Sequence, residues 1–308
     1  MVEWRVLVTD GLDEPGLALL REAAQVFESG TLEALPESDA LIVRGRTKVT
    51  GEIIASAGPR LKVVGRAGVG VDNIDLEAAR NHGLTVVNAP EAATVAVAEL
   101  TLGMMLALAR QIPLADAGMR RAEWRKSELH GSELSGKTLG IIGVGRIGAA
   151  VATRATALGM RVLGHDPLLS DDELQRRGTE PFGFEALLRE SDYLCLHLPL
   201  TNETRGLIGR EALRQVKRGA RLISAARGGI VDEAAVLEAL ETGHLGGVAL
   251  DVFAEEPPGE LPLRQHPNVV LTPHIGAQTR EAQSKAAKDI ASEVLAALRG
   301  ESLRWRVV

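Results

Sequence analysis

The chain has 308 residues, 45% of them hydrophobic and 25% charged, which is enough to bury a core and to form two domains. The net charge of -6 and the aromatic content of 3% argue against nucleic acid as the main ligand, because such binding needs clustered cations and stacking rings. The single cysteine, Cys195, excludes an internal disulfide and favours the reducing cytoplasm as the location. The chain opens with a strand-like run, 4–9, rather than a charged-then-apolar leader, so we expect no export. The most apolar helical stretch, 95–109, contains Glu99 and is too short for a bilayer, so we expect no membrane partner.

The first part of the chain alternates short apolar runs with helix-length amphipathic stretches, the pattern of a parallel sheet covered by helices. Four strands are predicted at residues 6–8, 40–43, 61–64 and 85–87, and helices at 15–24, 51–57 and 76–81. A long helical pattern over 95–110 then connects this group of elements to a second one.

Two loops of this first group are candidate anion sites. The segment 44–48, called the basic loop below, follows a strand and carries Arg44, Gly45 and Arg46, and its paired arginines suit a phosphate. A solvated basic loop is the simpler alternative. The glycine-rich turn 67–70, which includes Val69 and Gly70, offers backbone amides to a carboxylate, but it is equally typical of a plain tight turn.

A second group of six predicted strands begins at residues 138–142 and continues at 161–164, 193–198, 221–224, 247–250 and 269–271. Gly143, Gly145 and Gly148 lie where the first of these strands ends and a helical pattern over 146–158 begins, with Asp166 at the end of the next strand. This is the glycine fingerprint of a dinucleotide site in its proper strand-to-helix setting. Because the Asp166 carboxylate would bind a ribose 2′-hydroxyl and repel a 2′-phosphate, we expect NAD as the cofactor.

Three ionisable residues follow later strands of the second group. Arg227, Glu256 and His274 come after the fourth, fifth and sixth strands, and ligands of open parallel sheets bind at the carboxyl ends of the strands. Arginine can bind a carboxylate through two hydrogen bonds, and histidine exchanges a proton near neutral pH beside a stabilising carboxylate. Each residue alone is typical of a surface loop, but together with the fingerprint they predict a catalytic set without a metal.

The last helical pattern, 279–298, follows the sixth strand, so we expect it to return to the first group. A helix that caps the second group is the alternative. The predicted fold is therefore α/β with two doubly wound parallel-sheet domains: a Rossmann NAD domain, 95–276, inserted into a discontinuous flavodoxin-like substrate domain, 1–94 and 277–308. The active site is expected in the cleft between them.

Several strings of residues resemble the D-isomer-specific 2-hydroxyacid dehydrogenase family. They are Gly-Val-Gly-Arg-Ile-Gly at 143–148, Ala-Arg-Gly-Gly-Ile-Val-Asp at 226–232, Asp-Val-Phe-Ala-Glu-Glu-Pro at 251–257 and Pro-His-Ile-Gly-Ala at 273–277, together with the segments 65–75, 108–113 and 134–140. The resemblance extends over essentially the whole chain. It departs from the family's usual residues at Ala96, Leu198 and Ser224, where serine, threonine and asparagine are common.

The resemblance implies that Arg227 anchors the substrate carboxylate, that His274 is the acid/base and that Glu256 is its partner. It further implies cofactor contacts at Gly143, Gly145, Arg146, Ile147, Gly148, Asp166, Leu198, Pro199, Ala225, Ala226, Asp251, His274 and Gly276. It also implies a homodimer formed through the NAD domain, with 100–109 and the loop up to residue 134 as candidate surfaces.

With the resemblance, the basic loop favours a phosphorylated 2-hydroxy acid as the substrate, contacted by Arg44, Gly45, Arg46, Val69, Gly70 and Arg227. A reductase for an unphosphorylated acid such as glyoxylate or hydroxypyruvate stays open, and so does an NAD-sensing binding protein of the co-repressor kind. Members of the family with a regulatory C-terminal domain extend further, and because this chain ends at Val308 we expect no feedback inhibition by serine from this polypeptide.

Overall fold

The computed structural model describes residues 4–308, and the contacts within it divide the chain into two units. One unit runs to Thr94 and resumes over Ala277–Val308, and the other is Val95–Gly276. Both are α/β units in which every strand ladder is parallel.

The first unit has a five-stranded sheet. Its strands are β1 (Trp4–Val8), β2 (Ala24–Glu28), β3 (Ala40–Val43), β4 (Val63–Arg66) and β5 (Thr85–Asn88), and its early helices are α1 (Glu14–Arg21), α2 (Gly51–Ser56) and α3 (Leu76–Asn81). A short 3-10 helix spans Leu35–Glu37. The strand order β2-β1-β3-β4-β5 is that of flavodoxin-like sheets.

The prediction of four strands in this unit was wrong by one, because β2 was missed and the first helix ends at Arg21 rather than at residue 24. β2 lies at the edge of the sheet, where its residues are half-buried or exposed. Polar Gln25 and Glu28 therefore interrupt the apolar run by which a strand of a parallel sheet is recognised.

The second unit has a seven-stranded sheet. Its strands are β6 (Thr138–Ile142), β7 (Arg161–His165), β8 (Glu180–Pro181), β9 (Tyr193–Leu196), β10 (Arg221–Ser224), β11 (Gly247–Leu250) and β12 (Val269–Leu271). The order β12-β11-β10-β9-β6-β7-β8 is the Rossmann order with one added edge strand. The prediction of six strands missed β8, which has two residues and contains Pro181 at the sheet edge.

Seven helices belong to the segment that forms the second unit. They are α4 (Thr94–Arg110), α5 (Ile112–Arg120), α6 (Arg146–Ala157), α7 (Asp171–Arg176), α8 (Phe184–Glu190), α9 (Arg210–Gln215) and α10 (Glu233–Glu241), and a 3-10 helix spans Pro262–Gln265. One sheet face buries Ile141 and Cys195 against α4 and α6, and the other buries Leu196 and Leu222 against α8, α9 and α10. The switch in strand order between β6 and β9 marks the expected ligand edge.

The chain returns to the first unit through α11 (Arg280–Arg299). Ile290 and Val294 of this helix pack against Val6 and Ile42 of the first sheet. The helix lies so close to β4 at Gly65 that a Cβ there would be 2.6 Å from Val294 Cγ2. Over residues 4–308, no single helix has the length and apolarity of a membrane span, although α4 and α5 together, bent by 66°, pass the same test of length and composition.

Candidate active site

The glycine fingerprint forms the turn between β6 and α6. Gly143 has φ +88°, which favours glycine, and a Cβ on it would lie 2.5 Å from the carbonyl oxygen of His197. A Cβ on Gly148 would overlap the carbonyl oxygen of Gly143, so this glycine lets α6 pack against the turn. The two outer glycines are therefore required by the fold of the turn itself.

Gly145 differs from its neighbours because a Cβ on it would meet no atom of residues 4–308 within 4 Å. It is the N-cap of the 12-residue helix α6, and no side chain of the described residues caps the amides of the first turn. Open space above uncapped amides at the positive end of a helix fits a pyrophosphate. The residues present thus fit a bound dinucleotide.

Asp166 follows β7 and lies beside the same turn. Its Oδ2 accepts the Val144 N–H at 3.0 Å and its Oδ1 accepts the Leu168 N–H at 3.1 Å. Each carboxylate oxygen keeps a further acceptor site for a ribose hydroxyl. The structure also places Arg177, which the sequence did not single out, with its Nη1 donating to the Val144 carbonyl at 2.7 Å. The backbone N–H and carbonyl groups of Val144 are therefore bound by side chains of opposite charge.

His274 and Glu256 form a close pair. The distance from His274 Nδ1 to Glu256 Oε2 is 2.6 Å, and Glu256 Oε1 accepts the Phe253 N–H at 3.1 Å. Because Nδ1 is engaged, Nε2 is the ring atom left to exchange a proton. The side chains are 48% and 36% exposed, so substrate can reach the pair. A largely apolar pocket of about 420 Å³ borders it, lined also by Pro257, Leu261, Arg264 and Leu271.

Asp251 fixes the loop that carries His274. Its buried carboxylate accepts N–H groups from Ile275 and Gly276, both at 2.8 Å, and the hydroxyl of Thr272 at 2.6 Å. His274 has φ +52° and its N–H donates to the Asp251 carbonyl at 2.9 Å. Three of the acceptor sites of Asp251 are thus used inside the protein, and its predicted cofactor contact stays a prediction.

Arg227 reaches the same region through the turn after β10. A Cβ on Gly228 would overlap the carbonyl oxygen of Phe253, so this turn lies directly against the loop that carries Glu256. Arg227 Nη1 donates to the carbonyl of its neighbour Ala226 at 2.7 Å. The loops that carry Arg227, Glu256 and His274 therefore meet at the carboxyl edge of β10, β11 and β12.

The other predicted cofactor residues occupy the same edge. Leu198 and Pro199 follow β9, Ala225 and Ala226 follow β10, Gly276 lies on the His274 loop, and Arg146 and Ile147 begin α6. Ser224, at the departure from the family's usual asparagine, has a buried hydroxyl with no hydrogen-bond partner among the residues described. His197, also missed by the sequence reasoning, has two buried ring nitrogens, and burial lowers its pKa to about 4.

The predicted substrate residues of the first unit follow neighbouring strands at the carboxyl edge of its sheet. Arg44, Gly45 and Arg46 come directly after β3, whereas Val69 and Gly70 come after β4. Asn88 Nδ2 at the end of β5 donates to the Val69 carbonyl at 2.7 Å and so fixes the second loop. The structure thus brings these two loops to one edge.

A Rossmann sheet with this turn and Asp166 defines an NAD-binding unit. Residues 102–276 match the NAD-binding domain of the D-isomer specific 2-hydroxyacid dehydrogenases, and the chain belongs to that family. The family resemblance and the α/β fold class predicted from the sequence are confirmed.

Individual relatives agree with the family match. The D-3-phosphoglycerate dehydrogenase of Synechocystis sp. is 46% identical over 98% of this chain, and the match covers 56% of that protein, so the chain spans little more than half the length of this relative. A protein of known crystal structure from Thermus thermophilus is 40% identical with a TM-score of 0.88, covering 99% of this chain and 100% of that one. The glyoxylate reductase from Paecilomyes thermophila is 30% identical with a TM-score of 0.90, covering 100% and 99%.

Proposed function

We propose that the protein oxidises D-3-phosphoglycerate to 3-phosphohydroxypyruvate with NAD, the reaction that opens serine biosynthesis. The observation that carries the proposal is the 2.6 Å pair of His274 and Glu256 at the ligand edge of the Rossmann sheet, with the Arg227 loop against it. The relatives named D-3-phosphoglycerate dehydrogenase and the arginines of the basic loop support the choice of substrate.

In this proposal His274 Nε2 removes the proton of the 2-hydroxyl group, and Glu256 stabilises the imidazolium that results. NAD, when bound on the glycine turn, supplies the acceptor for the hydride from C2. Asp251 keeps the histidine loop in place through the three hydrogen bonds to its carboxylate. In the reverse direction the protonated His274 polarises the keto oxygen.

Arg227 binds the substrate carboxylate and thereby decides which face of C2 is presented. Arg44 and Arg46 bind the phosphate, and backbone amides at Val69 and Gly70 hold the carboxylate from the second loop. We assign the first unit as the substrate domain on this basis. The basic loop is the feature that an unphosphorylated substrate would not need.

Glyoxylate or hydroxypyruvate reduction is the second candidate, favoured by the full-length similarity to a glyoxylate reductase. NADH absorbance separates the two: its rise is followed with NAD and 3-phosphoglycerate, and its fall with NADH and glyoxylate or hydroxypyruvate. Arg46→Met is compared in each assay with Lys48→Met, a matched change in the same loop. The proposal expects 3-phosphoglycerate turnover that Arg46→Met weakens selectively. Turnover of glyoxylate with no effect of Arg46→Met would favour the second candidate, and no turnover of any acid would favour an NAD-sensing protein.

We further propose a homodimer formed through the second unit. Leu106, Ile112, Met119 and Trp124, on α4, α5 and the loop after them, are 38%, 51%, 56% and 78% exposed. Large apolar side chains exposed along one continuous segment are typical of an interface. Light scattering should give twice the chain mass for the wild type and the single chain mass for Met119→Glu with Ile112→Glu.

A further inference from the structure

Asp10 lies two residues after the end of β1, and the basic loop is built around it. The N–H groups of Arg44, Arg46 and Thr47 all donate to its Oδ2, at 2.8, 3.1 and 3.1 Å. The Thr47 hydroxyl donates to its Oδ1 at 2.7 Å. One carboxylate, whose side chain is 4% exposed, therefore organises the whole loop from inside.

Asn73 holds the loop from the opposite side. Its Nδ2 donates to the carbonyls of Arg44 at 3.1 Å and of Thr47 at 2.7 Å. The carboxylate thus engages the donors of the loop and the amide engages its acceptors, over sequence separations of 26 to 37 residues. This double anchoring leaves the loop little freedom to change its backbone conformation.

The ionised state of Asp10 is favoured by the same contacts. Burial raises its pKa, but the hydrogen bonds from Thr47, Arg44 and Arg46 together outweigh burial and hold the pKa below its ordinary value. The carboxylate already fills the concave side of the loop, where an anion would otherwise bind to the amides. The Arg46 side chain, in contrast, is 80% exposed, with its Nε 3.9 Å from Asp10 Oδ1.

We propose that Asp10 is a positioning residue for the substrate: it turns the amides of the basic loop inward, so that the phosphate is bound by the side chains of Arg44 and Arg46 alone. This inference rests on the proposed function. Asp10 acts in the first unit as Asp251 acts in the second, since each buried carboxylate collects the donors of the loop that carries a functional residue.

Substitution of Asp10 distinguishes two roles. A role in positioning the loop and a purely electrostatic role predict opposite changes in substrate binding. A carboxylate near the phosphate repels it, so a purely electrostatic role predicts tighter substrate binding in both Asp10→Asn and Asp10→Ala. A positioning role depends on the acceptor oxygen and not on the charge. A positioning role therefore predicts that Asp10→Ala weakens substrate binding, and that Asp10→Asn, which keeps one acceptor oxygen, retains most of the wild-type affinity.

The experiment measures steady-state kinetics of both variants together with amide hydrogen exchange of the loop. For Asp10→Ala we expect the substrate KM, measured with D-3-phosphoglycerate, to rise about tenfold or more, because three amides lose their buried acceptor, whereas kcat and the cofactor KM stay within about twofold. For Asp10→Asn we expect the substrate KM to stay within about threefold of the wild type. Asp13→Ala and Asp13→Asn, at the start of α1, give the same changes of charge outside the loop and should leave every constant unchanged.

A lower substrate KM in both Asp10 variants would overturn the proposal in favour of simple repulsion, and parallel changes in kcat and the cofactor KM would show a general role in folding. The exchange data separate this inference from the proposed function. The amides of Arg44, Arg46 and Thr47 should exchange slowly in the wild type without substrate and faster in Asp10→Ala. If the wild type did not oxidise 3-phosphoglycerate, the proposed function would fail, and unprotected amides in the wild type would refute the anchoring of the loop.

Discussion

Gly145→Ala should separate cofactor binding from protein stability. A Cβ at this position meets no atom within 4 Å in the part of the chain that the structure describes, and the backbone, at φ -71° and ψ -156°, is accessible to alanine. Replacing glycine by alanine at an N-cap lowers the stability, whereas the smaller entropy of the unfolded chain raises it. Because the two effects oppose each other, the free energy of unfolding should change by less than about 1 kcal/mol. The methyl group would occupy the space above the α6 amides, and a steric cost of roughly 1–3 kcal/mol should raise the Kd of NADH about 5- to 150-fold.

Gly148→Ala is the matched comparison, since its Cβ would overlap the Gly143 carbonyl oxygen and force α6 away from the turn. This variant should lose roughly 3 kcal/mol of stability and bind NADH weakly. Urea unfolding and fluorescence titration with NADH measure the two quantities. If Gly145→Ala bound NADH as tightly as the wild type, the dinucleotide would not lie on this turn, and the reasoning from its open space would be wrong.

Three further predictions concern charges near the site. Glu256→Gln keeps the contact to His274 but removes the negative charge that stabilises the imidazolium. Since both groups are partly solvated, kcat for keto-acid reduction should fall about tenfold at neutral pH. An unchanged kcat would contradict the pairing. Asp166→Asn should move the ratio of NADH to NADPH affinity about tenfold toward NADPH, as measured by fluorescence titration, whereas a constant ratio would exclude Asp166 from selectivity. The pKa of His197 falls from 6.5 to about 4 on folding, so between these pH values the unfolded chain binds a proton at His197 that the folded chain does not. The free energy of unfolding should therefore decline by up to roughly 3 kcal/mol as the pH falls from 6.5 to about 4. Urea unfolding of His197→Leu should lack this part of the decline; an identical pH dependence would place the proton elsewhere.

The fold is largely readable from the sequence because most of its strands are buried on both faces. Continuous apolar runs such as Ala40–Val43 and Gly247–Leu250 have no polar face to blur the pattern, and both are strands of the structure. The strands that were missed, β2 and β8, lie at sheet edges and contain polar residues or proline. The other two edge strands, β5 and β12, keep apolar runs and were predicted, so the local pattern fails only where an edge strand also lacks such a run.

The residues of the candidate site could be predicted where they lie in loops that follow strands and carry a familiar chemistry. The pairing of His274 with Glu256 fits this rule, because both lie in loops at the same sheet edge. The anchoring of the basic loop by Asp10 and Asn73 depends on hydrogen bonds between residues 26 to 37 positions apart, which no local spacing reveals. One signal was present: Asp10 lies two residues after an apolar strand, and Asp166 lies directly after one.

The most direct test of the account is the fate of the hydrogen on C2. The protein should be incubated with NAD and D-3-phosphoglycerate that carries deuterium at C2, and the reduced cofactor should be analysed by mass spectrometry. We expect the deuterium on the nicotinamide ring, with 3-phosphohydroxypyruvate as the other product. Unlabelled NADH, or no reduced cofactor at any substrate concentration, would contradict it.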